Sequence, residues 1–361
     1  MLTISFALRL RCFARKSQAR RLRYLKKFMA LLHIKIILLF LFSSLFGSLP
    51  VETTPSQSLL ILSKTERTLA IVDPVSLKVI ARMPVGPDPH EVIASSDGKF
   101  AYVTNYGGGL YNTIAVLDLV EQKALPSIDL GALKGPHGIM FAGGKVWFTA
   151  EAANVIGSYD PTTKKVDFVF GTGQRRTHML FLTEASAPIF TTNMGSNSVS
   201  MIEKSALRPG REDWDQTLIP VGKGPEGFDV RPDGKEIWVA NSQDGTVSII
   251  DVATKKVTNT LDANVKGANR LKFTPDGKRA FISILNGSDA AIIDVATRSE
   301  MKRIKLGRGA AGIQMQPDGA RVYIACTPDD YVAIIDTKSL EIVGRIDVGK
   351  MPDGMAWAIR R

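Results

Sequence analysis

From Ser58 onward, short apolar segments alternate with polar positions and break every few residues at Gly, Asp or Pro. The alternation has a period of two rather than 3.6, so it predicts β-strands, not helices. The clearest stretch is PEGFDVRPDGKEIWVANSQDGTVSIIDVATKKV, residues 225–257. Within it PDGK predicts a tight hairpin, because Asp-Gly suits the positive φ angles such turns require. The strand TVSIID ends in Asp251, whose carboxylate is placed to accept hydrogen bonds from the backbone amides of the turn DVATKK.

That stretch is one copy of a repeat. Equivalents of Asp251 stand at Asp73, Asp118, Asp160, Glu203, Asp294 and Asp336, and the seven positions are 45, 42, 43, 48, 43 and 42 residues apart. Turn copies stand at Asp97-Gly98, Asp233-Gly234, Asp276-Gly277 and Asp318-Gly319. A period near 43 with about four strands per unit predicts an all-β fold, a β-propeller of four-stranded blades. The body begins in mid-repeat with SLLILSK and ends with PDGMAWAIRR, which matches only an innermost strand. Together the two ends complete a seventh blade, which closes the ring and removes an open sheet edge. The 48-residue interval holds an insertion, LRPGREDWDQT at 207–217, expected to be a surface loop.

Charge and hydropathy then separate the first 50 residues from this body. They hold ten Lys and Arg and no Asp or Glu, which leaves 36 against 35 for the rest of the chain. The body is therefore near neutral, and general nucleic-acid binding, which needs a basic face, is not expected. The basic stretch runs into the apolar MALLHIKIILLFLFSSLFGS, residues 29–48. Basic, then apolar, then small residues predict a signal peptide or N-terminal membrane anchor, with Met29 a candidate start. The organisation expected is thus 1–50 targeting, 51–57 linker and 58–361 propeller. The protein is expected in the periplasm or secreted, monomeric, and touching membrane only through that segment. Of the two cysteines, Cys12 lies in the targeting segment and Cys326, in VYIAC, reads as a core residue.

YVTN at 102–105, WVAN at 238–241 and TVSIIDVATKKV resemble the YVTN-repeat (YncE-like) seven-bladed β-propeller family over residues 58–361. The resemblance implies an envelope or secreted bacterial or archaeal protein. Some relatives are similar to lactone hydrolases, and others bind DNA or escort redox enzymes.

The candidate chemistry comes from the repeat register. The three histidines of the body, His90, His137 and His178, fall at one position, the start of a blade's inner strand. The same position is Glu226, Asn269, Ala311 and Asp353 in the other blades. These residues should ring one mouth of the central channel, with Asp353, His90, His137, His178 and Glu226 as a contiguous arc. Three imidazoles beside two carboxylates suit Zn or another divalent transition metal, held by the histidines, with Glu226 and Asp353 as candidate bases. Arg175, Arg176, Asn269 and Arg270 are candidate ligand-binding residues for an anion. The same histidines serve structure alone if they only bond water and neighbouring loops.

Two functions follow from this reading. One is an exported platform that binds a small ligand or an envelope protein at the channel mouth. The other is a metal-dependent, lactonase-like hydrolase or lyase; DNA binding ranks below both. Gly107-Gly108-Gly109 and Gly171-Thr172-Gly173 read as blade loops, because no helix signal follows them. Trp147 and Trp238 read as packing between blades.

Overall fold

The computed structural model describes Lys27, Met29 and residues 52–183, 188–205 and 213–360. The expected targeting segment lies outside the described residues apart from Lys27 and Met29. Among the described residues no helix is long and apolar enough to cross a membrane. The chain divides into Met1–Glu52 and Thr53–Arg361, and the propeller is the second unit.

Twenty-eight strands form seven four-stranded antiparallel sheets. Blade 1 combines Gln57–Ser63, Thr68–Val72 and Val79–Pro84 with the last strand, Pro352–Ile359, on its inner edge. The register pairs Leu59 with Trp357 and Leu60 with Ala356, so the two ends of the propeller lock into one sheet. Blades 2 to 7 then follow in chain order, each running from an inner strand outward. Their inner strands are Pro89–Ala94, Pro136–Ala142, Thr177–Phe181, Pro225–Val230, Ala268–Phe273 and Ala310–Met315.

Burial explains the hydropathy pattern. Middle strands such as Glu236–Asn241 are covered on both faces and are buried almost throughout. Outer strands such as Lys256–Asp262 alternate exposed and half-buried, because only one face meets a neighbour. The core lies between blades: Trp238, fully buried, packs with Leu271 and Phe273 of the next blade. Trp147 packs likewise against Leu180 and Ile202. Cys326 is a buried free thiol in the same layer, and burial pushes its pKa up.

The turn chemistry also takes the expected form. Asp251 accepts the Thr254 amide at 2.7 Å, and Asp73, Asp118, Asp160, Asp294 and Asp336 do the same in their blades. Glu203, one methylene longer, instead pairs with Lys255. Gly98, Gly234, Gly277 and Gly319 all sit at positive φ in the hairpins after the inner strands. One expectation changes. Of the insertion at 207–217, Trp214 and its neighbours belong to the outer strand Asp213–Pro220, not to a loop. Trp214 is held there by Phe168 of blade 3, at 5.0 Å between rings. Residues 206–212 lie outside the described residues.

Two devices draw the inner strands together around the channel. A Thr or Ser of one blade donates to an inner-strand carbonyl of the next: Thr104 to His137, Thr149 to His178, Thr192 to Glu226 and Ser283 to Ala311, at 2.5–3.0 Å. A glycine at the third position of an inner strand removes the Cβ that would block this approach. A Cβ on Gly138 would lie 2.8 Å from the His178 carbonyl oxygen, and Gly227, Gly312 and Gly354 are tighter still.

Candidate functional site

The second residue of each inner strand lines one cavity of about 310 Å³ at an end of the channel. These are His90, His137, His178, Glu226, Asn269, Ala311 and Asp353. Repeat geometry alone brings them together from seven blades. A second set follows the same logic. The residues just after the seven second strands are Lys64, Tyr106, Glu151, Met194, Ser242, Leu285 and Thr327. Of these Lys64, Tyr106, Leu285 and Thr327 line the cavity, and Glu151 bonds its members.

His178 is the hub. It donates Nδ1–H to Glu151 at 2.6 Å and Nε2–H to Glu226 at 2.9 Å. Burial disfavours its charge, but the two carboxylates outweigh that and raise its pKa to about 9. Burial likewise opposes ionisation of Glu151, yet His178 and Arg176 hold its carboxyl at about 2. Arg176 Nε and the Tyr106 hydroxyl complete Glu151, each donating at 2.8 Å.

Arg270 is the second hub, and it spans the channel. From blade 6 its Nη1 donates to Glu226 at 3.2 Å, and its Nε donates to Glu91 of blade 2 at 3.1 Å. Its side chain is only 8% exposed, so it closes the channel floor as a buried, fully paired cation. Lys64 is the third. It bonds Asp353 at 3.2 Å, Asp88 at 3.1 Å and His90 Nδ1 at 2.7 Å. The His90 hydrogen bond and the Lys64 charge hold Asp88 well below the usual carboxylate range against its partial burial.

His137 stands apart. Its ring lies 3.9 Å from that of His178 and 4.8 Å from that of His90, with Tyr106 edge-on at 4.9 Å. Burial first, then the charge on His178, keeps it neutral. Its Nδ1 is buried and has no hydrogen-bond partner, and the same is true of the Asn269 Oδ1. Two residues lining the cavity thus carry unmet hydrogen-bonding capacity.

Of the residues expected to bind an anion, Arg176 lines the cavity with half its side chain open, while Asn269 and Arg270 are buried in it. Arg175 is exposed and does not line the cavity; it packs beside Gly195. Glu226 and Asp353, the candidate bases, already accept from His178 and Arg270 and from Lys64 respectively. Burial works against ionisation of Glu226, but these cations lower its pKa and so weaken it as a base. Glu151, Tyr106, Lys64 and Glu91 were missed in the sequence. Their shared signal is position, one residue after YVTN-type strands or one after the ring residue.

Solved structures of similar shape are low in identity. A putative 6-phosphogluconolactonase from Bacteroides fragilis is 16% identical, with a TM-score of 0.69 over 84% of this chain and 99% of that one. Hydrazine synthase of Kuenenia stuttgartiensis is 19% identical, with a TM-score of 0.66 over 79% and 93%. The dihydro-heme d1 dehydrogenase NirN, in complex with DHE, is 14% identical, with a TM-score of 0.59 over 86% and 76%. At these identities the likeness shows the propeller fold. Among curated proteins nothing matches. A family model, however, matches residues 116–314, more than half of the chain, covering all of blades 3 to 6 and parts of blades 2 and 7. On that match the chain belongs to the family described as the cytochrome D1 heme domain.

Proposed function

We propose that this chain is an exported, YVTN-type propeller that binds a small hydroxylated molecule in its channel mouth. The observation that carries the reading is the cavity of about 310 Å³, lined by polar ring residues and the half-open Arg176. Arg176 offers donors to a carbonyl or carboxylate, and the polar ring residues face hydroxyl groups. Opposite them Leu285, Ala311 and Met351 present an apolar wall. A sugar acid or sugar lactone has this distribution of groups, and the putative 6-phosphogluconolactonase of similar shape agrees with it. Export is supported by the basic and then apolar order of residues 9–48.

The test is calorimetric titration with gluconate and glucono-1,5-lactone. Saturable binding that disappears in Ala311→Leu, which fills the cavity, supports the reading. Absence of binding, or binding indifferent to that change, sinks it.

The family description points to a haem, and the residues of this mouth do not fit one. A haem iron takes a side-chain donor, commonly a histidine nitrogen, with free approach beside its plate-shaped ring. Both His178 nitrogens are engaged by carboxylates, and both His90 nitrogens lie 2.7–3.1 Å from Lys64 Nζ. The free Nδ1 of His137 is sealed by its surroundings. The ring has seven blades, whereas the family is of the eight-bladed type, so its channel is narrower. Titration with haemin is expected to leave the free-haemin Soret band in place.

A second reading has its own observation. Donor atoms of His137, Glu151 and His178 lie within 4.8 Å of one another, so Glu151 takes the place expected for His90. Zn or another divalent transition ion there would replace the proton shared by His178 and Glu151. The chain would then be a metal-dependent hydrolase or lyase, the ion polarising a carbonyl. Elemental analysis after incubation with Zn decides it: one retained ion that is lost in Glu151→Gln supports this reading, and no retained ion ends it.

A further inference from the structure

A larger cavity lies elsewhere, and its origin is a defect in the repeat. On the end of the blades opposite the histidine ring, hairpins join each inner strand to the next strand. In blades 5 to 7 these hairpins stack: Gly277 packs by Pro232 (3.5 Å from its would-be Cβ), and Gly319 by Pro275 at 3.0 Å. Blade 3 breaks the series. Residues 142–145 join Phe141 to its partner Val146, where residues 231–236 join Val230 to Ile237, so the hairpin is two residues shorter. A Cβ on Gly144 would meet nothing within 4 Å. The space that a full hairpin would fill remains open, as a cleft of about 740 Å³ between blades 2 and 3.

The outer strand of blade 2 adds to it. Pro126 and Ser127 stand opposite Ala115 alone, a bulge that bends this wall outward. The cleft is lined by Phe100, Tyr102, Phe141 and Tyr159, with Leu125 and Pro126 beside them. Tyr102 and Phe141 are stacked, 5.9 Å apart with 17° between their planes. Tyr102 is only 4% exposed, but its hydroxyl is not sealed from solvent, and it has no hydrogen-bond partner among the described residues. Its counterparts on other blades do find partners: Trp147 donates to the Ala142 carbonyl, Trp238 to Glu236 and Tyr323 to Gln316.

We propose that this cleft is a second ligand site, for a flat, uncharged aromatic molecule bearing a carbonyl. The rings of Tyr102, Phe141 and Tyr159 supply stacking surface, and the Tyr102 hydroxyl donates to the carbonyl. The volume lies within the range of about 300–1,000 Å³ typical of sites for small organic ligands. The site is independent of the channel mouth, because it shares no lining residue with it.

The probe is Prodan, a fluorescent naphthyl ketone whose emission reports an apolar, hydrogen-bonding environment. The intact protein is expected to give saturable, blue-shifted emission. Tyr102→Phe removes one neutral hydrogen bond, worth about 1 kcal/mol, and should weaken binding about five-fold. Replacing residues 142–145 by the hairpin sequence of residues 231–236 closes the cleft and should abolish binding. A cooperative thermal transition confirms that each variant is folded, and the Tyr102→Phe result stands alone if the graft does not fold. Absence of saturable binding overturns the proposal. So does an affinity unchanged by Tyr102→Phe, or one abolished by Ala311→Leu, which would move the probe to the channel mouth.

Discussion

The channel mouth and the cleft between blades 2 and 3 use the same repeat in opposite ways. At the mouth the backbone is regular, and individuality comes from seven side chains placed at one register. In the cleft the side chains are ordinary packing aromatics, and individuality comes from a hairpin shortened by two residues. The mouth is dense in charge and pinned by hydrogen bonds across the channel. The cleft has a mainly aromatic and aliphatic wall, with Asp97, Asp129 and Lys164 also in its lining. Changes at the mouth should therefore cost stability, whereas changes at the cleft should alter binding with little effect on folding.

The sharpest way to break that contrast is Arg270→Ala. It leaves Glu91 buried without its cation and Glu226 with His178 alone, which typically costs about 3–5 kcal/mol, and denaturant titration should show the loss. A cost below about 1 kcal/mol would mean that the pin carries little. Next comes a pair of glycines. Gly312→Val drives a side chain into the Asp353 carbonyl of the next inner strand and should cost about 1–3 kcal/mol. Gly144→Ala meets no atom and pays only for its positive φ, about 1 kcal/mol. Equal costs would erase the distinction between the two regions.

The mouth should also respond to pH where the cleft does not. The pKa of His178 rises from an ordinary 6.5 to about 9 on folding, so its stabilising effect is complete below 6.5 and is lost as pH rises through 9. Glu151 runs the other way: its pKa falls to about 2, so its contribution is present above 4.5 and fades as pH drops toward 2. The melting temperature should decline between about pH 6.5 and pH 9, and His178→Gln should flatten that decline. Prodan affinity should stay constant across it.

How much of this was legible follows from the same contrast. Strand period, turn chemistry and the ring of His90, His137, His178 and Glu226 could be read by counting, because each depends on position within a repeat. Counting failed where the repeat length changed. The hairpin of blade 3 is two residues shorter, so pairing sets Ala150 in the place of Asn105 and Glu151 in that of Tyr106. The carboxylate that organises His178 was thereby overlooked. Arg270 reads in the sequence as a candidate anion ligand, not as a pin across the channel. Its bond to Glu91 joins residues 179 apart and depends on side-chain reach across the channel, which no register reports. Trp214 took a strand place because Phe168 offers it a packing surface, a tertiary reason absent from its local sequence.

The strand Pro352–Ile359 seated against Gln57–Ser63 also sets the order of events during synthesis. The first three strands of blade 1 leave the ribosome early but lack their inner partner until almost the last residue is made. Blades 2 to 7 can stack one by one as they emerge, yet the circle stays open until the end. Such a chain has a built-in delay: a nascent or truncated copy presents an unpaired edge to chaperones, while the finished molecule hides it at once. Loss of the final ten residues would thus leave six complete blades and an unclosed ring, recognisable to the cell as unfinished.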